Sequence, residues 1–210
     1  MAYRTTPKMA ERKDARRRTL LAAATLQFGK RGYHATTVPM IVAEARSSTG
    51  SFYFYFRNKE DVFAAVLEAL GERAGGAVQN AITAATGPFD QMRAGIWGLV
   101  EFLALHPGEA RILIVESAGL GPRLEGVRRS VIAAHTRGVE QALARLAGKL
   151  PALDAAVAAR CWVGAVCEAV YHWLELPPKK RMPPRELAQE IAAFNLRAIG
   201  APRELIHSRV

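Results

Sequence analysis

Apolar residues return every three to four positions along almost the whole chain, which is the period of a helix that buries one face. No stretch alternates with the period of two that a half-buried strand requires. The spacing predicts a first helix from Lys13 to Lys30, with Leu20, Ala24 and Phe28 on one stripe and Gly32 suited to a left-handed stop just beyond it. Val38, Ile41, Val42 and Ala45 follow at i, i+3, i+4 and i+7 and predict a short helix with one apolar face. Thr37 is a good N-cap for it, and Pro39 is tolerable because an amide so early has no partner inside the helix. Arg46-Ser47 forms a turn, Ser48 caps a second short helix through Tyr55, and Phe52 and Phe56 face inward from that helix. Asn58 opens a long helix whose first turn carries Glu60 and Asp61, acids that complement the dipole, and whose buried stripe is Phe63, Val66, Leu67 and Leu70.

Further along, Gly87-Pro88, Pro107-Gly108 and Gly121-Pro122 punctuate the helical pattern. Helices are expected over 89–105, 108–119, 123–149, 153–176 and 185–199. The segment from Pro177 to Pro184 has proline pairs at both ends and reads as an extended connector. Residues 1–10 are short of apolar positions and broken by Pro7, so they read as disordered. The expected fold is all-α. An arm spans 1–12, a three-helix domain containing a helix-turn-helix spans 13–60, and a larger helical domain spans 61–205.

Charge divides along the same line. The whole chain carries +10, and residues 1–60 hold 12 Lys and Arg against 4 Asp and Glu, a net +8, which leaves +2 on the rest. A basic head on a nearly neutral body is the footprint of a protein that docks phosphate backbone at one end. The longest charge-free run, Ala74 to Phe89, is too rich in Gly, Thr, Gln and Asn to span a membrane. Met1 to Asp14 lacks the apolar block of a secretory signal, so a cytoplasmic location without a membrane partner is expected. Cys161 and Cys167 fit neither a zinc nor a redox spacing and read as small buried hydrophobes. From Arg73 onward there are no paired catalytic carboxylates, no glycine-rich phosphate loop and no HExxH-type pair, so neither an enzyme nor a cofactor or metal is expected.

The chemistry concentrates between residues 37 and 59. A helix-turn-helix places its second helix in the DNA major groove. Thr49, Gly50 and Ser51 at the start of that helix are small and polar, which lets backbone approach base edges, and the two hydroxyls can donate or accept there. Tyr53 and Tyr55 lie outward if Phe52 and Phe56 point in, and their hydroxyls reach phosphate oxygens, as do Thr37, Ser48 and Lys59 at helix starts. An aromatic run such as Phe52 to Phe56 serves a core as readily as a contact.

The run Phe28-x-x-x-Gly32-Tyr33, Ala35-Thr36-Thr37-Val38, Ile41, Ala43-Glu44-Ala45 and Ser48-x-Gly50-Ser51-Phe52-Tyr53-x-Tyr55-Phe56-x-Asn58-Lys59-Glu60-Asp61-Val62-Phe63 resembles the DNA-binding domain of the TetR family. The resemblance is continuous over residues 15–65. It implies a transcriptional regulator, most often a repressor, that binds a palindromic double-stranded operator as a homodimer and is released by a small-molecule effector. It also implies that Tyr53 and Lys59 grip phosphate. The last two helices, 153–176 and 185–199, would form a four-helix bundle with a second subunit, the latter through Leu187, Ile191, Phe194 and Ala198. The effector site would lie within 58–176, where Trp97, Phe102, Trp162 and Tyr171 are the large side chains able to line it. Glu101, Glu116, His135 and Glu168 interrupt apolar faces there and could orient a polar group on a mainly apolar ligand.

One departure stands out. The family usually has Gly-Val where this chain has Arg46-Ser47. A non-glycine residue forced into a left-handed conformation costs on the order of 1 kcal/mol, and the missing valine removes an apolar plug between the helices. Either the turn differs, or Arg46 adds a cation beside phosphate. The alternative reading is a small-molecule-binding adaptor that has lost specific operator binding. Effector identity, operator sequence, and repression against activation are left open by the residues.

Overall fold

The computed structural model describes residues 7–206, and every named element among them is helical. They are α1 (Pro7–Ala35), α2 (Val38–Glu44), α3 (Thr49–Tyr55), α4 (Lys59–Ala84) and α5 (Pro88–Leu105). Then come α6 (Pro107–Ala110), α7 (Pro122–Arg145), α8 (Ala155–Glu175), α9 (Pro184–Ala198) and the single turn α10 (Arg203–Ile206). α6 runs straight into a wide π-helical segment, Arg111–Glu116. The connector before α9 is extended apart from one 3₁₀ turn, Pro178–Lys180.

The helix starts follow the sequence chemistry. Ser48 Oγ accepts the Ser51 amide at 3.1 Å, and Asn58 Oδ1 accepts the Asp61 amide at 2.8 Å. Asp154, outside the expected cap set, holds the start of α8 by accepting the Val157 amide at 2.9 Å. α1 is longer than its apolar stripe predicts and begins at Pro7, not Lys13. Proline is acceptable in a first turn, and Ala, Glu, Lys and Arg are strong helix formers, so Pro7 to Arg12 is helix and not arm. The remainder of the expected arm, residues 1–6, lies outside the described residues. Gly32 takes φ +78, so α1 bends there and ends one short turn later.

Two hydrophobic clusters result. In the head, Leu20, Phe28, Ile41, Phe52 and Phe63 are fully buried, with the Phe28 and Phe63 rings edge to face at 4.8 Å between centroids. Burying each such side chain is worth roughly 1.5–3 kcal/mol. The body cluster joins α5, α8 and α9 through residues such as Val100, Leu103, Trp162, Val170 and Leu196. Its connector is pinned: Trp173 Nε1 donates to the Met182 carbonyl at 2.8 Å, and Arg181 donates to the carbonyls of Leu174 and Leu176.

The α9 face differs from its expected use. Leu187 and Ile191 are buried within the chain and belong to the body cluster, while Phe194 is 60% exposed and Ala198 is exposed too. Residues spaced by three and four drift around a helix, so one nominal stripe is divided between an inner and an outer face.

Head and body meet at several joints. A Cβ on Gly29 would lie 3.0 Å from the Gly108 carbonyl oxygen, so α1 and α6 pass backbone to backbone. Ile112 and Leu124, from the body, are fully buried in the head cluster. Asp61, in the first turn of α4, is paired with Arg123 in the first turn of α7.

Candidate DNA interface and effector cavity

α2 and α3 form the helix-turn-helix. Arg46, in the turn between them, has φ +46, the one positive φ outside glycine among the described residues. The turn is held by the Arg46 amide donating to Ala43 O at 3.1 Å and the Ser47 amide donating to Val42 O at 3.0 Å. Ser47 Oγ is buried without a hydrogen-bond partner. From α3, Phe52 and Phe56 enter the head core, as their spacing implies. Ser48, Thr49 and Gly50 are exposed, Tyr53 is 53% exposed, and Ser51 and Tyr55 are half-buried. A Cβ on Gly50 would meet nothing within 4 Å, so internal packing does not require glycine there. Thr37 is exposed at the N-cap of α2 and makes no side-chain cap bond.

Two features escaped the sequence reading. Phe54, 67% exposed, is the most open side chain of the aromatic run, and Lys13 Nζ sits 5.1 Å from its ring centroid. An open groove of about 630 Å³ separates α1 from α3, walled by Arg12, Lys13, Arg16, Thr19, Ser51, Phe54 and Tyr55. The basic run of α1 therefore stands beside the exposed face of α3. Lys59 is turned the other way. Its ammonium donates to the carbonyls of Tyr33 at 2.8 Å and His34 at 3.3 Å and lies 4.4 Å from the Tyr33 ring centroid. Burial lowers its pKa from the ordinary lysine value, and its charge caps the end of α1 instead of facing outward.

The body encloses a cavity of about 1450 Å³ between α4, α5, α7 and α8. That exceeds the roughly 300–1,000 Å³ usual for ligand sites. Apolar side chains dominate its wall, among them Val78, Ile82, Met92, Ile96, Leu99 and Val131. Four of the expected lining residues are there: His135, Trp162, Glu168 and Tyr171. Burial holds the His135 pKa below the usual histidine value, so its imidazole favours the neutral form. The Tyr171 hydroxyl is spoken for by Glu175 at 3.0 Å.

The other four expected residues do not line the cavity, and Glu101 is exposed on α5. Trp97 lies under the Arg185 guanidinium of α9, 6.0 Å from its ring centroid. Phe102 is buried beside His106, with the Arg73 guanidinium 5.5 Å from its ring centroid. Glu116 belongs to the joint with the head: its Oε2 accepts the Tyr33 amide at 3.0 Å, and Oε1 accepts from Arg111 Nε at 2.9 Å. Its carboxylate occupies the space a side chain on Gly32 would need, 2.7 Å from the ideal Cβ position.

Residues 20–66 match the family described as bacterial regulatory proteins, tetR family. The chain carries a tetR-family domain at its head. A curated relative, the HTH-type transcriptional regulator HbdR of Aromatoleum sp. (strain CIB), is 32% identical over 93 residues, covering 44% of this chain and 39% of HbdR. The chain thus aligns with well under half of that relative. Solved structures extend the likeness of fold to the body. The regulator FadR from Bacillus subtilis, in complex with stearoyl-CoA, superposes with a TM-score of 0.76 at 19% identity, over 85% of this chain and 96% of that one. AibR, in complex with isovaleryl coenzyme A and operator DNA, gives 0.69 at 20% identity, over 85% and 97%.

Within this tetR-type fold, the π-helical segment 111–116 has two faces. Leu113 and Ile114 line the cavity, while Ile112 and Glu116 reach the head. No helix among the described residues is long and apolar enough to cross a membrane.

Proposed function

We propose that this protein is a ligand-responsive transcriptional regulator that binds a palindromic operator as a homodimer and is released when a large, mainly apolar effector fills the body cavity. The observation that carries the reading is α3 itself, a capped helix anchored by Phe52 and Phe56 with Thr49, Gly50, Tyr53 and Phe54 open to solvent beside Arg12, Lys13 and Arg16. Such a surface joins base-edge donors to phosphate-seeking cations. Thr37, Ser48, Ser51, Tyr55 and Arg46 flank it. The exposed sides of α8 and α9, with Val157 and Phe194 more than half exposed, supply the apolar seam for the second subunit. Two α3 helices about 34 Å apart would then read successive major grooves. This activity belongs in the cytoplasm, where DNA is accessible.

Release follows from the joint. An effector pressing on Leu113 and Ile114 displaces the π-helical segment, and Glu116 carries that movement to the Tyr33 amide and the end of α1. A hundredfold drop in operator affinity needs only about 2.7 kcal/mol of coupling. The similarly folded FadR and AibR, solved with acyl-CoA ligands, support an effector of that class.

The test is fluorescence anisotropy on DNA flanking the gene, in competition with random duplex. Binding to one palindrome at least about a thousandfold tighter than to random sequence is the expected result. Equal affinity for any duplex overturns it. The strained Arg46 turn and the inward Lys59 favour the adaptor reading, which predicts effector binding with no operator preference.

A further inference from the structure

Three arginines stand in the cavity wall, and two of them leave no buried donor without a partner. Arg123 is paired with Asp61, and Arg145 Nε donates to the Gln141 carbonyl at 3.2 Å. Arg128, on the second turn of α7, differs. One terminal nitrogen lies 3.3 Å from Glu125, but its Nε–H is buried with no hydrogen-bond partner. A buried donor without an acceptor is costly, and more so on a charged group, so a site that keeps one has an acceptor arriving from elsewhere.

What surrounds Arg128 narrows the choice. Cys167, on α8, is near enough to interact electrostatically with Arg128 and with Glu168. The Cys167 thiol is held neutral by burial and is a weak acceptor, while Glu168 is exposed at the rim. Away from the head, the α7 wall continues through Val131, His135 and Val139 to Ala142. Those 14 residues beyond Arg128 span about 21 Å at the helical rise. Glu125 already offsets much of the guanidinium charge, so a neutral oxygen suffices as the acceptor.

We infer that Arg128 Nε anchors the carbonyl oxygen of an acyl thioester effector, whose chain runs along α7 away from the head. The assignment rests on the body cavity being the effector site. A long chain fills the apolar length, and the carbonyl supplies the acceptor that the wall lacks.

Palmitoyl-CoA and S-hexadecyl-CoA differ only in that carbonyl. Their dissociation constants for the full chain are read from tryptophan fluorescence, Trp162 being the tryptophan in the cavity wall, with calorimetry as a cross-check. The wild type is expected to bind the acyl compound on the order of tenfold or more tighter than the thioether, the advantage of a hydrogen bond to a charged donor. Arg128→Met is expected to bind both as weakly as the wild type binds the thioether. Arg128→Lys keeps the charge without an N–H at that place and is expected to do the same, and thermal melts of both variants confirm folding. Equal binding of the two compounds by the wild type, or discrimination that survives in both variants, overturns the carbonyl contact while leaving the cavity reading intact. Failure of the wild type to bind either compound overturns both.

Discussion

Head and body spend their residues in opposite ways. In the head, the side chains of Ser48 and Asn58 cap α3 and α4, and Phe28, Phe52 and Phe63 fill the inner faces with no exposed surface. In the body, nine glycines sit inside helices, and six of them line the cavity: Gly71, Gly75, Gly95, Gly126, Gly138 and Gly164. A helix-interior glycine costs about 1 kcal/mol relative to alanine. For Gly126, Gly138 and Gly164 an added Cβ would meet nothing within 4 Å, so packing inside the chain does not require them. The head is built to hold one shape, and the body leaves room that its own side chains do not use.

The comparison breaks most sharply if the head tolerates a hole. Phe52→Ala empties a fully buried site and is expected to cost about 3–5 kcal/mol, seen as a lower urea midpoint and lost operator binding. A loss below 1 kcal/mol would mean the head core is loose. Next in size is the joint. Glu116→Ala leaves the Tyr33 amide without its acceptor, at a cost of about 1–3 kcal/mol. It should also blunt the effector's influence on DNA affinity in a titration, and an unchanged response would move the coupling elsewhere.

Arg46→Gly relieves the left-handed backbone and is expected to stabilise by about 1 kcal/mol in chemical denaturation. The same variant weighs the cation: weaker operator binding with a shallower salt slope means Arg46 meets phosphate, whereas unchanged affinity leaves only strain. Gly126→Ala fills open space on a helix and should stabilise by about 0.5–1 kcal/mol, which destabilisation would contradict.

The smallest effect is one of pH. His135 has a folded-state pKa below its unfolded value, so stability is whole above the unfolded value near 6.5. It declines as pH falls through that value towards the lower folded one, because the unfolded chain takes up the proton first. Urea midpoints measured across that window should fall less steeply in His135→Gln than in the wild type.

The head was legible because its signals are local. Caps at Ser48 and Asn58 and the inward pair Phe52 and Phe56 follow from neighbours within four residues, and the backbone demand at Arg46 from the family resemblance over the same short run. The body's chemistry depends on distance along the chain. Glu116 meets Tyr33 from 83 residues away, which no periodicity announces. Trp97 and Phe102 were favoured by size, yet helix rotation turns them to other neighbours. Arg128 was passed over because a charge on a helix ordinarily faces water, and only its neighbours reveal an unmet donor. Lys59 has the expected motif position, but the nearby end of α1 offers it two carbonyls.

The bare crossing of Gly29 over Gly108 bears on chimera building. A head transplanted from another protein of this fold would dock undisturbed only if it too presents glycine at the α1 side of the crossing. A methyl group there would press on the backbone of α6 and push the modules apart by a few tenths of an ångström. Compatibility of a donor head with this body can thus be screened from one position, that of Gly29, because a side chain on Gly108 would make only ordinary contact.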